Sequence, residues 1–108
     1  MRNLASIQKI GNLEPIPNAD AIEKATVLGW ELVVKKGDFR IGDLCVYCEI
    51  DSILPEKPEF EFLRERKFRV RTIRLRGQIS QGICFPITIL PKDAPVEEGA
   101  DVTALLGI

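Results

Sequence analysis

A chain of 108 residues, 45% of them hydrophobic, can bury one core of ordinary domain size but not two. No apolar run approaches the roughly 20 residues of a membrane helix, and residues 4–10, broken by Ser6, Gln8 and Lys9, are too short and too polar for a secretory leader. The net charge of −1 hides a segregated distribution: residues 64–76 carry Arg64, Arg66, Lys67, Arg69, Arg71, Arg74 and Arg76 against Glu65 alone, a local +6 on a body of −7.

These features predict one soluble domain spanning residues 1–108, cytoplasmic and with no membrane partner. Cys45, Cys48 and Cys84 are an odd number in a chain that needs no staples, which argues against a disulfide framework and for a reducing compartment.

In chain order, residues 7–13 read as a strand that ends at the Pro15-Ile16-Pro17-Asn18-Ala19-Asp20 turn cluster. Residues 24–28 and 30–34 flank Gly29 as a tight hairpin, and Lys36-Gly37-Asp38 with Gly42-Asp43 is turn chemistry. Residues 44–50 alternate, which predicts a half-buried strand with Leu44, Val46, Cys48 and Ile50 on one face and Cys45, Tyr47 and Glu49 on the other. A long connection over 51–62 has room for one turn of helix. Strands are expected over 69–76 and 83–89 with a turn at 77–82 between them, then a short helix from Asp101 that Gly107 stops. The fold class is all-β, a small closed or partly open barrel with one or two short helical turns.

The basic segment is the strongest chemical signal. Strict alternation over 69–76 would place charge on both faces of a barrel strand, whereas a bulge near Thr72 or Ile73 turns Val70, Ile73 and Leu75 inward and aligns Arg69, Arg71, Arg74 and Arg76 outward. Four guanidiniums on one face suit phosphate oxygens, the other reading being a solvated face compensated by nearby carboxylates. Lys35, Lys36 and Arg40 flank a turn and are candidates to extend the track, and Gln78 and Gln81 sit in a turn that either touches RNA or is purely structural. Tyr47 is the one aromatic expected outward on a strand and hence the candidate for base stacking. So few aromatics favour recognition of duplex or backbone.

No catalytic residue or metal site is expected. Cys45 and Cys48, three apart on a strand, point to opposite faces, and with one further cysteine and no histidine they make neither a zinc site nor a redox pair. Glu49 and Asp51 have no nucleophile, phosphate loop or oxyanion partner beside them.

Residues 15–55, PIPNADAIEKATVLGWELVVKKGDFRIGDLCVYCEIDSILP, resemble the N-terminal oligonucleotide/oligosaccharide-binding (OB) module of nick-sealing, ATP-dependent RNA ligases, and so do RTIRLRGQISQGICFP at 71–86 and GADVTALLGI at the end. The resemblance implies an OB fold, a role in RNA repair, nicked duplex RNA as partner, and a catalytic nucleotidyltransferase domain in cis that uses ATP and a divalent metal. No lysine here is followed by x-Asp-Gly, the context of the adenylated lysine in such enzymes, and Lys36-Gly37-Asp38-Phe39 departs from it at the last position. The ligase chemistry is therefore expected outside these residues, which need no cofactor. The first string is more loosely similar to the tRNA-binding OB domains appended to aminoacyl-tRNA synthetases. A protein-interaction or dimerisation barrel is the reading from a different class.

Overall fold

Eight short strands, two 3-10 helices and one α-helical turn make up the computed structural model, which describes residues 4–75, 77–94 and 96–108, with only the backbone of Glu59. Strands β1 (Ala5–Lys9), β5 (Leu44–Cys48) and β8 (Ile83–Pro86) form one antiparallel sheet in the order β1-β5-β8. Strands β2 (Asn12–Pro15), β3 (Ile22–Val27) and β4 (Trp30–Lys35) form a second, and β6 (Ile73–Leu75) pairs with β7 (Gln78–Ser80).

The three sheets are stitched at their edges. The expected strand over 7–13 is broken at Ile10-Gly11, where the chain passes from the first sheet to the second, and the Gly11 N–H donates to the Thr26 carbonyl (2.8 Å). On the far side the Val33 N–H donates to Ser80 Oγ (3.0 Å) and the Gln81 N–H to the Glu31 carbonyl (2.8 Å), tying β4 to β7 and its exit.

Local chemistry explains the turns. The β3–β4 hairpin closes on Leu28 and Gly29, both at positive φ (53° and 81°), as a two-residue loop must be if it is to match the twist of its strands. The Pro15–Asp20 cluster ends β2 as expected, and the terminal helix α1 (Thr103–Leu106) stops at Gly107.

The long connection holds more structure than one turn. A 3-10 helix, Pro58–Arg66, begins on Pro58 and ends where Lys67 and Phe68 enter the left-handed region. Such runs are normally brief. This one is held by burial of Phe60 and Leu63, three residues apart on one face, each contributing about 1.5–3 kcal/mol.

Strand β5 corrects the expectation of a half-buried strand, because it is buried on both faces. Val46 and Cys48 pack into a core with Ala5, Ile7, Phe60, Leu63, Val70 and Phe85, beneath the 3-10 helix and α1. Cys45 and Tyr47 face the opposite way, into a core with Ile10, Ala25, Val27, Leu32, Val34 and Phe39.

Two further boundaries differ. Gln78 to Ser80, expected within a turn, is strand, and the strand expected over 83–89 ends at Pro86, where a second 3-10 helix, Ile87–Ile89, takes over.

Burial also sets the thiols. Cys48, fully enclosed, is pushed from its ordinary 9.0 up to about 12, chiefly by burial and then by Cys45. The folded chain therefore keeps a proton that the unfolded chain releases above about pH 9, so stability falls by about 1.4 kcal/mol per pH unit through that window. Urea unfolding of Cys48→Ala should show a lower but flatter alkaline stability than the parent. Equal alkaline slopes in the two proteins would contradict this.

Candidate nucleic-acid interface

The end of the 3-10 helix, the segment leading into β6 and the β6–β7 hairpin together wall a surface groove. Its apolar part is a cleft of 290 Å³ lined by Phe62, Leu63, Ile73, Leu75 and Ile83 among others, with Arg66 and Arg71 also in its wall. A second, open hollow of 420 Å³ adjoins it, lined by Glu65, Arg66, Lys67 and Arg71. Arg66 and Arg71 belong to both, so the two form one track that is apolar at one end and cationic at the other.

The basic segment is not one flat stripe. Val70 is fully buried, as expected, and its backbone is fixed to Asp51 and Ser52 (2.7 and 2.8 Å). Residues 69–72, however, lie outside any named strand, with one isolated bridge from Arg69 to Ile53, and β6 is only three residues long. Arg71, Ile73 and Leu75 line the same cleft, so simple alternation holds there and the expected bulge does not. Arg74 then lies on the other face of β6, and Leu75, 41% exposed, is not a core residue. The single outward face of four arginines is thus corrected; Arg76 lies outside the described residues.

Charge pairing separates the arginines further. Arg64 is neutralised by Glu61, through Nε at 2.6 Å and Nη2 at 3.0 Å, and by Glu56 at 3.6 Å. Those carboxylates hold its pKa above the ordinary arginine range, Glu61 foremost. Arg69 pairs with Asp51 at 3.8 Å. Among the described residues, Arg66, Lys67, Arg71 and Arg74 have no carboxylate within ion-pair distance. Each is exposed. Within the basic segment they are the described cations able to meet an anion without first breaking an ion pair.

The other candidate residues lie elsewhere. Lys35 ends β4, and Lys36 and Arg40 stand exposed on the loop after it, anchored to the Ile10 region through Gly42 and Asp43. Among the described residues no lining of the groove includes them. Gln78 turns back to donate Nε2 to the Ile79 carbonyl (2.9 Å), and Gln81 is engaged through its backbone. Tyr47 is corrected outright. It is 1% exposed and donates its hydroxyl to the Gln81 carbonyl at 2.7 Å, so its ring has no face to offer a base.

The aromatic that does reach the groove is Phe62, 57% exposed and tilted against Phe85 at 6.0 Å. A signal for it exists in the sequence: on a three-residue helical repeat Phe60 and Leu63 share a face, and Phe62 falls off it.

The cysteines hold a second surprise. Cys45 and Cys48 do face opposite cores, but Cys45 Sγ lies 3.2 Å from Cys84 Sγ on the neighbouring strand, a pair that strand register creates and spacing alone does not reveal. That contact, with burial, holds the Cys84 thiol well above its ordinary range. Among the described residues no cluster of three or more acidic, cysteine or histidine side chains is placed to hold a metal ion. No helix among them is long and apolar enough to cross a membrane.

Comparison with known proteins supports the assignment of fold. A family profile described as an OB-fold domain matches residues 4–87. No curated protein sequence matches significantly. Among solved structures, Naegleria gruberi RNA ligase with pyrophosphate superposes with a TM-score of 0.90 at 42% identity, over 99% of this chain and 34% of the ligase. A lysine-to-methionine mutant of the same ligase with AMP and Mn gives 0.89 at 43%, over 98% and 34%. A glutamate-to-alanine mutant with AMP and Mn gives 0.87 at 43%, over the same shares. The matched portion is the ligase's N-terminal part, so this chain spans about a third of that protein's length. On the profile match and this likeness, the chain belongs to the OB-fold domain family and resembles the N-terminal module of an RNA ligase.

Proposed function

We propose that this chain is the RNA-gripping module of an ATP-dependent RNA ligase. It holds a nicked duplex by its sugar-phosphate backbone while a nucleotidyltransferase domain in cis activates the 5′ phosphate. The observation that carries the reading is the 43% identity to Naegleria gruberi RNA ligase across 98% of the chain. The unpaired Arg66, Lys67, Arg71 and Arg74 support it, since exposed guanidiniums offer planar forks to phosphate oxygens.

ATP and a divalent metal would serve the catalytic domain. The described residues here include no metal cluster, and no lysine stands before x-Asp-Gly, so this module contributes orientation. Fixing two ends in reacting geometry lowers a sealing barrier without any chemistry of its own. Phosphate contacts position a substrate without reading sequence, so the grip is indifferent to the bases at a nick.

Fluorescence anisotropy of the chain with a labelled nicked RNA duplex, competed by unlabelled nicked duplex or by tRNA, tests this. Binding should weaken steeply with salt, with a log-log slope near −3 for three to four phosphate contacts at about 0.7–0.9 each. The nicked duplex should be the better competitor. Stronger competition by tRNA would move the chain to the tRNA-binding class, and salt-insensitive binding would reject the backbone grip.

A further inference from the structure

We propose that the apolar cleft beside the basic hollow is a pocket for one unpaired nucleobase, with the adjoining phosphate held by Arg66 and Arg71. This deepens the RNA-binding reading and rests on it.

The cleft has the chemistry of a nucleotide in negative. At 290 Å³ it lies at the small end of ligand pockets, which run from about 300 to 1,000 Å³, so it suits one flat ring system and not a longer ligand. Ile73, Leu75 and Ile83 give it apolar walls, and the half-exposed ring of Phe62 provides an aromatic face. That face is already fixed: Phe62 leans on Phe85, which Phe60 meets edge-on at 5.1 Å from the core. Little side-chain freedom remains to be lost when a base stacks on it.

Position of the charge decides between occupants. Arg66 and Arg71 line both the cleft and the open hollow, so a ligand seated against Phe62 has its outer end beside two guanidiniums with no described carboxylate within ion-pair distance, and Lys67 in the same hollow offsets the charge of Glu65 there. An apolar peptide side chain would leave them unused, whereas a nucleotide joins a stacking ring to an anion across one sugar. A base inside a duplex cannot leave its stack without unpairing, so the pocket selects an unpaired or displaced nucleotide.

The test compares binding of the chain to a short single-stranded RNA and to the same backbone carrying abasic residues. Parallel titrations use Phe62→Ala and Leu75→Trp, both at exposed positions, with folding checked by circular dichroism. The base-bearing strand should bind about tenfold tighter than the abasic one, as one stacked base provides. Each variant should bring it down to the abasic level with the salt slope unchanged. Equal affinity for the two strands, with salt dependence intact, overturns the pocket and leaves the backbone grip standing. A base preference that survives both substitutions also overturns it, by placing the base elsewhere. Failure of both strands to bind while a nicked duplex still binds overturns the pocket alone, and failure of the nicked duplex as well rejects the RNA-binding reading itself.

Discussion

Gly82→Ala should destabilise this domain by about 2–6 kcal/mol, more than any surface substitution. A Cβ at this position would lie 2.6 Å from the Tyr47 ring and 2.8 Å from the Cys48 carbonyl oxygen, and the residue sits at φ 112°. A side chain in that backbone region costs about 1–3 kcal/mol, and forcing the buried β5 aside adds about 1–3 more. Tyr47 has no room to yield, being enclosed by the core that holds Leu32 and Phe39 and fixed by its hydroxyl to the Gln81 carbonyl. Urea titration of the two proteins measures the difference. A loss below about 0.5 kcal/mol would show that the corner is looser than its packing.

The same corner explains the Ser80-Gln81-Gly82 element physically. Ser80 Oγ receives the Val33 N–H, the Gln81 backbone bonds Glu31 through its N–H and Tyr47 through its carbonyl, and Gly82 leaves room for the Tyr47 ring. The string is the joint between β4, β5 and β8, made through the Gln81 backbone, and the Gln81 side chain takes no part in these bonds.

Legibility in the sequence follows the strength of local chemistry. The Leu28-Gly29 hairpin, the proline turn after β2 and the Gly107 stop are readable because each rests on a backbone preference confined to a few residues. Tyr47 is misplaced by pattern alone because alternation identifies two faces without saying whether one or both are covered. Cysteine and tyrosine look polar enough for solvent, yet the register β1-β5-β8 makes β5 a central strand under two cores. The bulge expected for residues 69–76 assumes a full strand packed on the barrel. In the fold no named strand covers residues 69–72: Val70 alone among them turns into the core, and the short, exposed β6 that follows lets Arg71 and Arg74 both reach solvent. The pairing of Arg64 with Glu56 and Glu61, and of Arg69 with Asp51, depends on where the long connection folds back, which no local pattern encodes.

Those pairings set the second large effect. Replacing Arg66, Arg71 and Arg74 together by alanine should weaken RNA binding at least tenfold at moderate salt, nearly equally for different sequences, because phosphate contacts carry no base information. A phosphate left without its guanidinium keeps its condensed counterions, so the log-log salt slope should flatten by roughly 0.7–0.9 per arginine. Arg64→Ala is the control: already neutralised by two carboxylates, it should alter affinity by no more than about twofold. The salt dependence of nicked-duplex binding by the parent, the triple variant and Arg64→Ala is therefore the most direct measurement of what the unpaired arginines of the basic segment contribute. The slope should flatten by roughly two units in the triple variant and stay unchanged in Arg64→Ala. Parent-like affinity and slope in the triple variant would contradict this, and would move the interface away from residues 66–74.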